Sequence, residues 1–436
     1  MNHAARPWIV AITLGLLALL PLTAQTAMNP EEVKEYKDSK AKGEKGDVDA
    51  QMKLGFLYAN GIGVTRDDSE SVMWYQRAAE QGNADAQNIV GVLYADGNQG
   101  APLDFQKAIF WWRKAAAQGH PWASYHLAKH FKNGEGVAKN DEQAFFWYTK
   151  SSEYGNLEAQ YELARCYALG KGVAKDLALA ASWYRKCAEN RDAYNYSQTI
   201  RTTAQYFLAR CYSDGVGVAK DPVQVVYWYR KAAEQGDAYS QYHLAGCYAD
   251  GEGVVKDQVQ ATSWYRKAAE QGNARAQFDL GYCYAFGEGV AKDRMQAVYW
   301  YRKAAEQGNA DAQYNLGYCY AFGEGVAKDQ VEAVSWYRKA ADLGDARAQI
   351  HLGYHFAKGA GVLKDEIEAY AFWNLAGITN ELARENLAIL EKSMSPDARL
   401  LGQQRTKQLQ KEIESRLETI DDLRKAVEKE NLRKGA

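Results

Sequence analysis

The sequence predicts an all-α superhelical solenoid of about nine helix-turn-helix repeats that ends in a long C-terminal helix. A fourteen-residue string, LGYCYAFGEGVAKD, occurs at 280–293 and again at 316–329, thirty-six residues later. Weaker copies continue the same register from about Gly46 to about Thr379. A fixed period of this length is typical of stacked two-helix units, each of which contacts only its neighbours.

The second of these strings shows how one repeat is expected to fold. Leu316 and Cys319 lie on the apolar stripe of a first helix. Gly323 can adopt the left-handed conformation that ends this helix. Asp329 is the predicted N-cap of the second helix, and Glu332, three residues on, would complete a capping box. A Trp-Tyr pair and small alanines then form the buried face of the second helix.

Residues 1–27 precede the array and predict a signal peptide. Residues 8–20 are apolar and contain no acid, and small residues follow Pro21. This run is shorter than the roughly 20 residues that a membrane-spanning helix needs, which disfavours the alternative of an uncleaved anchor. We expect cleavage near Ala24 or Ala27, a periplasmic or secreted mature protein, and no transmembrane segment after signal removal.

The rest of the chain divides into five segments by the register of the repeat. They are an N-terminal capping helix at 28–45, repeats one to four at 46–190, an insertion at 191–199, repeats five to nine at 200–379, and a C-terminal cap with a charged amphipathic helix at 380–436. The insertion leaves two alternatives, a longer helix or a bend in the array. The last helix either extends into solvent or forms a coiled coil with itself or with a partner.

Five of the six cysteines share one position of the repeat: Cys166, Cys211, Cys247, Cys283 and Cys319. Equivalent positions on neighbouring helices lie about 8–10 Å apart, and a disulfide requires Cα atoms within about 7 Å. We therefore expect these side chains to be buried, small and apolar. Cys187 lies at a different position, so a bridge to Cys166 or Cys211 stays open.

The pattern A-x-A-x-x-L-G-x-x-Y…G-x-G-V-x-x-D…A-x-x-W-Y-x-K-A-A-E-Q-G resembles that of the Sel-one-like repeat (SLR) family, relatives of tetratricopeptide repeats. Residues 308–343 fit it nearly throughout, and 383–404 resembles a terminal segment common in bacterial members. The resemblance implies a right-handed α/α superhelix whose first helices line the concave face. It also implies an adaptor role in assembly, signalling, secretion or host contact.

Comparison among the repeats predicts a partner-binding ridge on the first helices. Some positions vary while the frame stays constant, and they lie on the stripe that the apolar pattern does not use. Tyr and Arg are enriched at interface hot spots, whereas an ordinary solvated face is the alternative. The predicted partner-binding residues are Arg210, Tyr239, His243, Arg275, Asp279, Tyr282, Asp311, Asn315, Tyr318, Arg347, His351 and Tyr354.

Charge and motifs argue against nucleic-acid binding and against catalysis. The formal net charge is −2, with both signs interspersed, so there is no basic footprint. Ser39 and Lys42 match S-x-x-K and Ser213 begins an S-D-N-like turn, but no K-T-G follows. His126 and His130 are spaced like zinc ligands, without an acid between them or a third ligand. We expect no catalytic residue, no cofactor and no bound metal.

These observations together predict a non-enzymatic adaptor in the cell envelope that binds a protein or peptide along the concave face. The first alternative is an envelope factor that binds peptidoglycan or another glycan through Tyr and Trp. A weak β-lactam hydrolase is the second, because some cysteine-rich members of the family are linked to that activity. Self-association through the C-terminal helix is a further expectation.

Overall fold

A computed structural model describes three stretches of the chain, with side chains as far as Leu423: residues 29–97, 100–190 and 198–434. These residues form twenty-one α-helices and no strand. The predicted signal peptide at 1–27 and most of the predicted insertion, 191–197, lie outside the described residues.

Contacts group the chain into two compact units that divide between Lys220 and Asp221. The described residues of the first unit form ten helices: α1 Pro30–Gly43, α2 Val48–Asn60, α3 Asp68–Glu80, α4 Ala84–Asp96, α5 Phe105–Ala117, α6 Pro121–Asn133, α7 Asp141–Glu153, α8 Leu157–Leu169, α9 Leu177–Glu189 and α10 Gln198–Asp214. Helix α1 lies at the predicted N-terminal cap and packs on α2. Helix α10 has 17 residues, where the other first helices have 13, so the described end of the insertion lengthens a helix.

As far as Lys434, the second unit forms eleven helices: α11 Pro222–Glu234, α12 Ala238–Asp250, α13 Gln258–Glu270, α14 Ala274–Phe286, α15 Arg294–Glu306, α16 Ala310–Phe322, α17 Gln330–Ala341, α18 Ala346–Lys358, α19 Glu366–Ala376, α20 Glu381–Glu391 and α21 Pro396–Lys434. Here α12, α14, α16 and α18 are first helices, and each packs against the second helix that follows it. Helix α21 is the long C-terminal helix and packs on α19.

Side-chain caps begin both helices of a repeat. Asn309 Oδ1 accepts the Ala312 N–H at 2.8 Å at the start of α16. At the start of α17, Asp329 Oδ1 accepts the N–H of Glu332 at 3.0 Å. The predicted capping box is wrong in its second half, because the Asp329 N–H donates to the Tyr320 carbonyl of the preceding helix at 2.9 Å. The cap therefore joins the two helices of one repeat as well as starting the second.

The two glycines of the turn have different roles. Gly323 ends α16 with φ 77°, and its N–H donates to the Cys319 carbonyl. Gly325 also has a positive φ, and a Cβ at this position would lie 2.2 Å from the Arg294 carbonyl oxygen of the preceding repeat. A side chain at Gly325 would thus be strained locally and would also separate two repeats.

The core of a repeat is built from small residues of the first helix and aromatic residues of the second. Leu316 and Tyr337 are fully buried. A Cβ at Gly317 would lie 2.8 Å from the Tyr337 ring, so the glycine allows the ring to contact the helix backbone. Cys319 is also buried, as the sequence predicts, and all six cysteines are free thiols.

A buried glutamine of the first helix connects successive helices. The Gln277 side-chain nitrogen donates to the Ala269 carbonyl at 3.0 Å, and its oxygen accepts from Gln307 at 2.7 Å. The same arrangement recurs in other repeats. At Gln313 the partner position, thirty residues later, is Leu343. The buried Gln313 oxygen consequently has no hydrogen-bond partner.

Candidate binding surface

Four positions of each first helix in the second unit carry the predicted ridge, together with the residues that continue it. By position, from the start of each helix to its end, they are Tyr239, Arg275, Asp311 and Arg347; His243, Asp279, Asn315 and His351; Gly246, Tyr282, Tyr318 and Tyr354; and Asp250, Phe286, Phe322 and Lys358. We call these the entry, middle, outer and exit positions. The structure gives them different environments.

The entry position is exposed and brings consecutive repeats into contact. Arg347 donates to Asp311, thirty-six residues earlier, at 2.6 Å. The same guanidinium is bonded to Asp345 and lies 4.4 Å from the centre of the Tyr314 ring. Tyr239, at the same position of an earlier repeat, is 64% exposed. Entry residues of neighbouring first helices are therefore close enough to act on one ligand.

The middle position packs against the preceding repeat. The His351 ring stacks on Tyr337 with centroids 4.8 Å apart, and His243 stacks on Tyr229 at 5.0 Å. Burial lowers the pKa of His351, which favours the neutral ring. The prediction that both histidines lie on a stripe free of packing is therefore wrong. The two histidine rings pack on the preceding second helix, so they belong to the contact between repeats more than to the exposed surface.

Asp279 occupies the middle position of α14 and is partly buried. Burial raises its pKa to about 6, opposed by a hydrogen bond from the Tyr242 hydroxyl, and nearby Asp311 raises it further. The next repeat has Asn315 at this position. The middle position of α14 therefore carries a partly buried carboxyl group with a raised pKa, which could accept a hydrogen bond or a positive charge from a ligand.

The outer and exit positions display aromatic rings. Tyr282 and Phe286 lie with ring centres 4.4 Å apart, and Tyr318 and Phe322 repeat the arrangement at 4.5 Å. All four rings are exposed, as is Tyr354 in α18, which is 52% exposed. The tyrosines are among the predicted partner-binding residues, and the phenylalanines complete each pair. We call these five residues the aromatic row.

The row stops at α12, where the outer residue is Gly246. A Cβ at Gly246 would meet no atom within 4 Å, so the surface beside this glycine is open. Contiguous exposed apolar side chains of this kind are typical of interaction sites. Their support is rigid, because the buried Ala and Leu positions of the same helices form the core.

In the first unit, the outer position of the last three first helices carries a base: Lys129, Arg165 and Arg210. Arg210, the one predicted residue in this unit, lies 3.8 Å from Asp214. At the same position of the preceding repeat, Arg165 is buried and donates to Glu162 at 2.8 Å. Glu162 also accepts from Lys132 at 3.1 Å. This buried ion cluster was not predicted; its signal in the sequence is an arginine where three later repeats have tyrosine.

Three side chains that could serve catalysis or metal binding are buried: Ser39, Cys319 and His130. Ser39 is buried in α1, whereas Lys42 is exposed. Burial raises the pKa of Cys319 to about 12, so this thiol stays protonated. His130 is buried, and its Nδ1 lies 2.9 Å from the Glu135 carbonyl. In the described part of the chain, no three His, Cys, Asp or Glu residues are grouped as a metal site.

The fold and the aromatic row define a class of protein, the α/α repeat solenoid with a displayed first-helix surface. Comparison identifies the family. Nine segments match the Sel1 repeat profile: residues 48–83, 84–120, 123–156, 157–192, 202–237, 238–273, 274–309, 310–345 and 346–377. The chain belongs to the Sel1 repeat family. Repeat folds of this kind generally mediate protein–protein interaction and generally act as non-enzymatic scaffolds.

Two solved structures are similar over most of the chain. One is a protective antigen of uropathogenic Escherichia coli strains that displays an SLR fold; it is 30% identical with a TM-score of 0.54, covering 89% of this chain and 97% of that one. The other is a Sel1 repeat protein from Oxalobacter formigenes, 29% identical with a TM-score of 0.55, covering 77% of this chain and 97% of that one. No protein of curated function matches the sequence. Within the described residues, no helix is both long and apolar enough to cross a membrane.

Proposed function

We propose that this protein is a non-enzymatic adaptor of the cell envelope that binds a protein or peptide on the first-helix face of its second unit. The aromatic row is the observation that carries the proposal. Exposed Tyr282 and Tyr318, each beside a phenylalanine, offer large apolar contact areas on helices whose opposite side is anchored in the core. Rings held in this way lose little side-chain entropy on binding.

The charged entry position supports recognition of a polar chain beside these rings. Arg347 and Asp311 are bonded to each other at the edge of the row, so a partner meets both signs of charge. Such rim charges favour orientation and association rate more than affinity. An extended or helical peptide along successive first helices would contact an aromatic group once per repeat.

The envelope assignment rests on the sequence of residues 1–27, which lie outside the described residues. Amino-terminal sequencing of the protein recovered from a periplasmic extract tests it. A new amino terminus near residue 25 or 28 is the expected result. Recovery of the uncleaved chain from the cytoplasm would contradict export.

Site-specific cross-linking in cells tests the binding surface. A photo-crosslinking amino acid at Tyr318 is compared with one at Tyr299, which is 50% exposed on a second helix. We expect a protein captured from Tyr318 and not from Tyr299, identified by mass spectrometry. Equal capture from both positions would contradict the surface, and capture of wall glycan alone would favour the glycan-binding alternative.

A pair of matched variants then measures the contribution of the row. Tyr282→Ala with Tyr318→Ala is expected to weaken binding of the captured partner at least tenfold without loss of helicity, since hot-spot aromatics contribute about 2 kcal/mol or more each. Tyr227→Ala with Tyr299→Ala removes two comparably exposed rings from second helices and should leave affinity unchanged. Unchanged affinity in the first variant would overturn the proposal.

A further inference from the structure

The long helix α21 has two parts with different surroundings. In the first part Leu409 is buried, Arg405 donates to Glu368 of α19 at 2.6 Å, and Thr406 accepts from Asn374 at 3.3 Å. This part covers the end of the array, as the sequence predicts for a terminal cap.

Further along, Arg416 and Leu417 lie beside the array. Arg416 forms an ion pair with Asp342. Leu417 lies beside Gly344, since a Cβ atom at Gly344 would be 4.0 Å from the Leu417 Cδ1. The helix itself continues to Lys434.

The apolar face of α21 continues beyond these contacts. Ile420 and Leu423 lie eleven and fourteen residues after Leu409, which is about three and four helical turns, so all three share one face. Leu409 is buried against the array, whereas Leu423 is 59% exposed. The same face that packs on α19 is therefore left without a cover in the second part.

The charges of this part are divided along its length. Residues 412–422 contain five acids and one base, whereas 424–434 contain five bases and two acids. A parallel pair of such helices would place acid beside acid and base beside base. An antiparallel pair centred near Leu423 would place each acidic half beside a basic half and bury the apolar stripe.

We propose that α21, from about Leu417 onward, pairs antiparallel with the same helix of a second copy of this chain. Charge complementarity selects this occupant, because the segment is complementary to itself only in that orientation. The pairing joins two arrays through their C-terminal ends. It is independent of the peptide-binding role, since a monomer could bind a peptide equally well.

Sedimentation velocity of the chain as isolated from cells tests the pairing. We expect a concentration-dependent dimer whose dissociation constant rises at least tenfold between 50 and 500 mM NaCl, because exposed charges are screened. Leu423→Asp should abolish it. Leu400→Asp removes a comparably exposed leucine from the first turns of the same helix and should not. A monomer at all concentrations, or equal loss in both variants, would overturn the proposal.

Charge reversal tests the complementarity itself. A variant with Glu418, Asp421 and Asp422 changed to Lys should be monomeric, and so should one with Lys425 and Lys429 changed to Glu. Mixing the two should restore a heterodimer. Failure of the mixture to dimerise, while the native chain does so, would show that the charges do not direct pairing.

Cross-linking determines the orientation. An antiparallel pair brings residue 420 of one copy close to residue 427 of the other. We expect a disulfide in an equal mixture of Ile420→Cys and Val427→Cys and none in either variant alone, because the six native cysteines are largely buried. A disulfide within each single variant would indicate a parallel pair and contradict the proposal. Attachment of another protein in place of a second copy would do the same.

Discussion

Leu343→Gln should stabilise the second unit, because it supplies a hydrogen bond that one repeat lacks. Gln277 has both its side-chain groups paired, with Gln307 donating to its oxygen at 2.7 Å. Gln313 keeps only the donor half of this arrangement, at 3.1 Å to a backbone carbonyl. Its oxygen is buried and has no partner, and residue 343, where the donor belongs, is leucine.

The expected gain follows from two opposing contributions. A buried acceptor without a partner costs about 1–3 kcal/mol. Replacing the partly exposed Leu343 removes some apolar burial, which costs about 1 kcal/mol. The net increase in the free energy of unfolding should be about 1 kcal/mol. The reverse change, Gln307→Leu, should cost about 1–3 kcal/mol because it leaves the Gln277 oxygen without its donor.

Urea unfolding followed by circular dichroism measures both changes, with Leu343→Met as the control for side-chain shape. Repeat arrays can unfold in parts, so hydrogen exchange of the α16 and α17 amides provides the local measurement. Slower exchange there is expected for Leu343→Gln alone. A glutamine variant no more stable than the methionine variant would refute the reasoning, since both fill the position and only one can donate.

Two further changes test the turn and the middle position. Gly308→Ala and Gly325→Ala both place a side chain at positive φ, which should lower the free energy of unfolding by about 1–2 kcal/mol. Only the alanine at 325 also meets a backbone oxygen, so the urea midpoint of Gly325→Ala should fall distinctly further. Equal losses of stability in the two variants would contradict the close contact. Because burial raises the pKa of Asp279 to about 6, the folded state holds this proton between about pH 4 and 6 where the unfolded state has lost it, and this stability is lost as pH rises. Asp279→Asn should therefore be more stable by about 3 kcal/mol at pH 7 and similar to the native chain near pH 4, as denaturation across that range will show. A difference independent of pH would exclude the carboxyl group as its cause.

The described helices follow the sequence pattern closely. Asp329 starts a helix, Gly323 ends one, and the stripe that contains Leu316 is buried. These features depend on residues within a few positions of each other, so periodicity and local backbone preference were enough to predict them. The count of nine repeats is confirmed by the family profile.

The ridge was predicted only in outline. Tyr282 and Tyr318 are exposed as expected, but His243 and His351 stack on aromatic rings of the preceding helix. A helical stripe defined by the absence of apolar residues cannot distinguish a displayed position from one that faces a neighbouring helix. Asp279 shows the same ambiguity, because its partial burial depends on that neighbour.

The sequence by itself determined the repeat, the helix ends, the buried first-helix stripe and the family, because each is encoded at short range and then repeated. Only the tertiary structure decided which polar positions support the surface and which form it, that Gly325 contacts the preceding repeat, and that Gln313 lacks its partner. These depend on how successive helices approach one another. That approach is set by side chains fourteen or more residues apart, whose contacts no local pattern records.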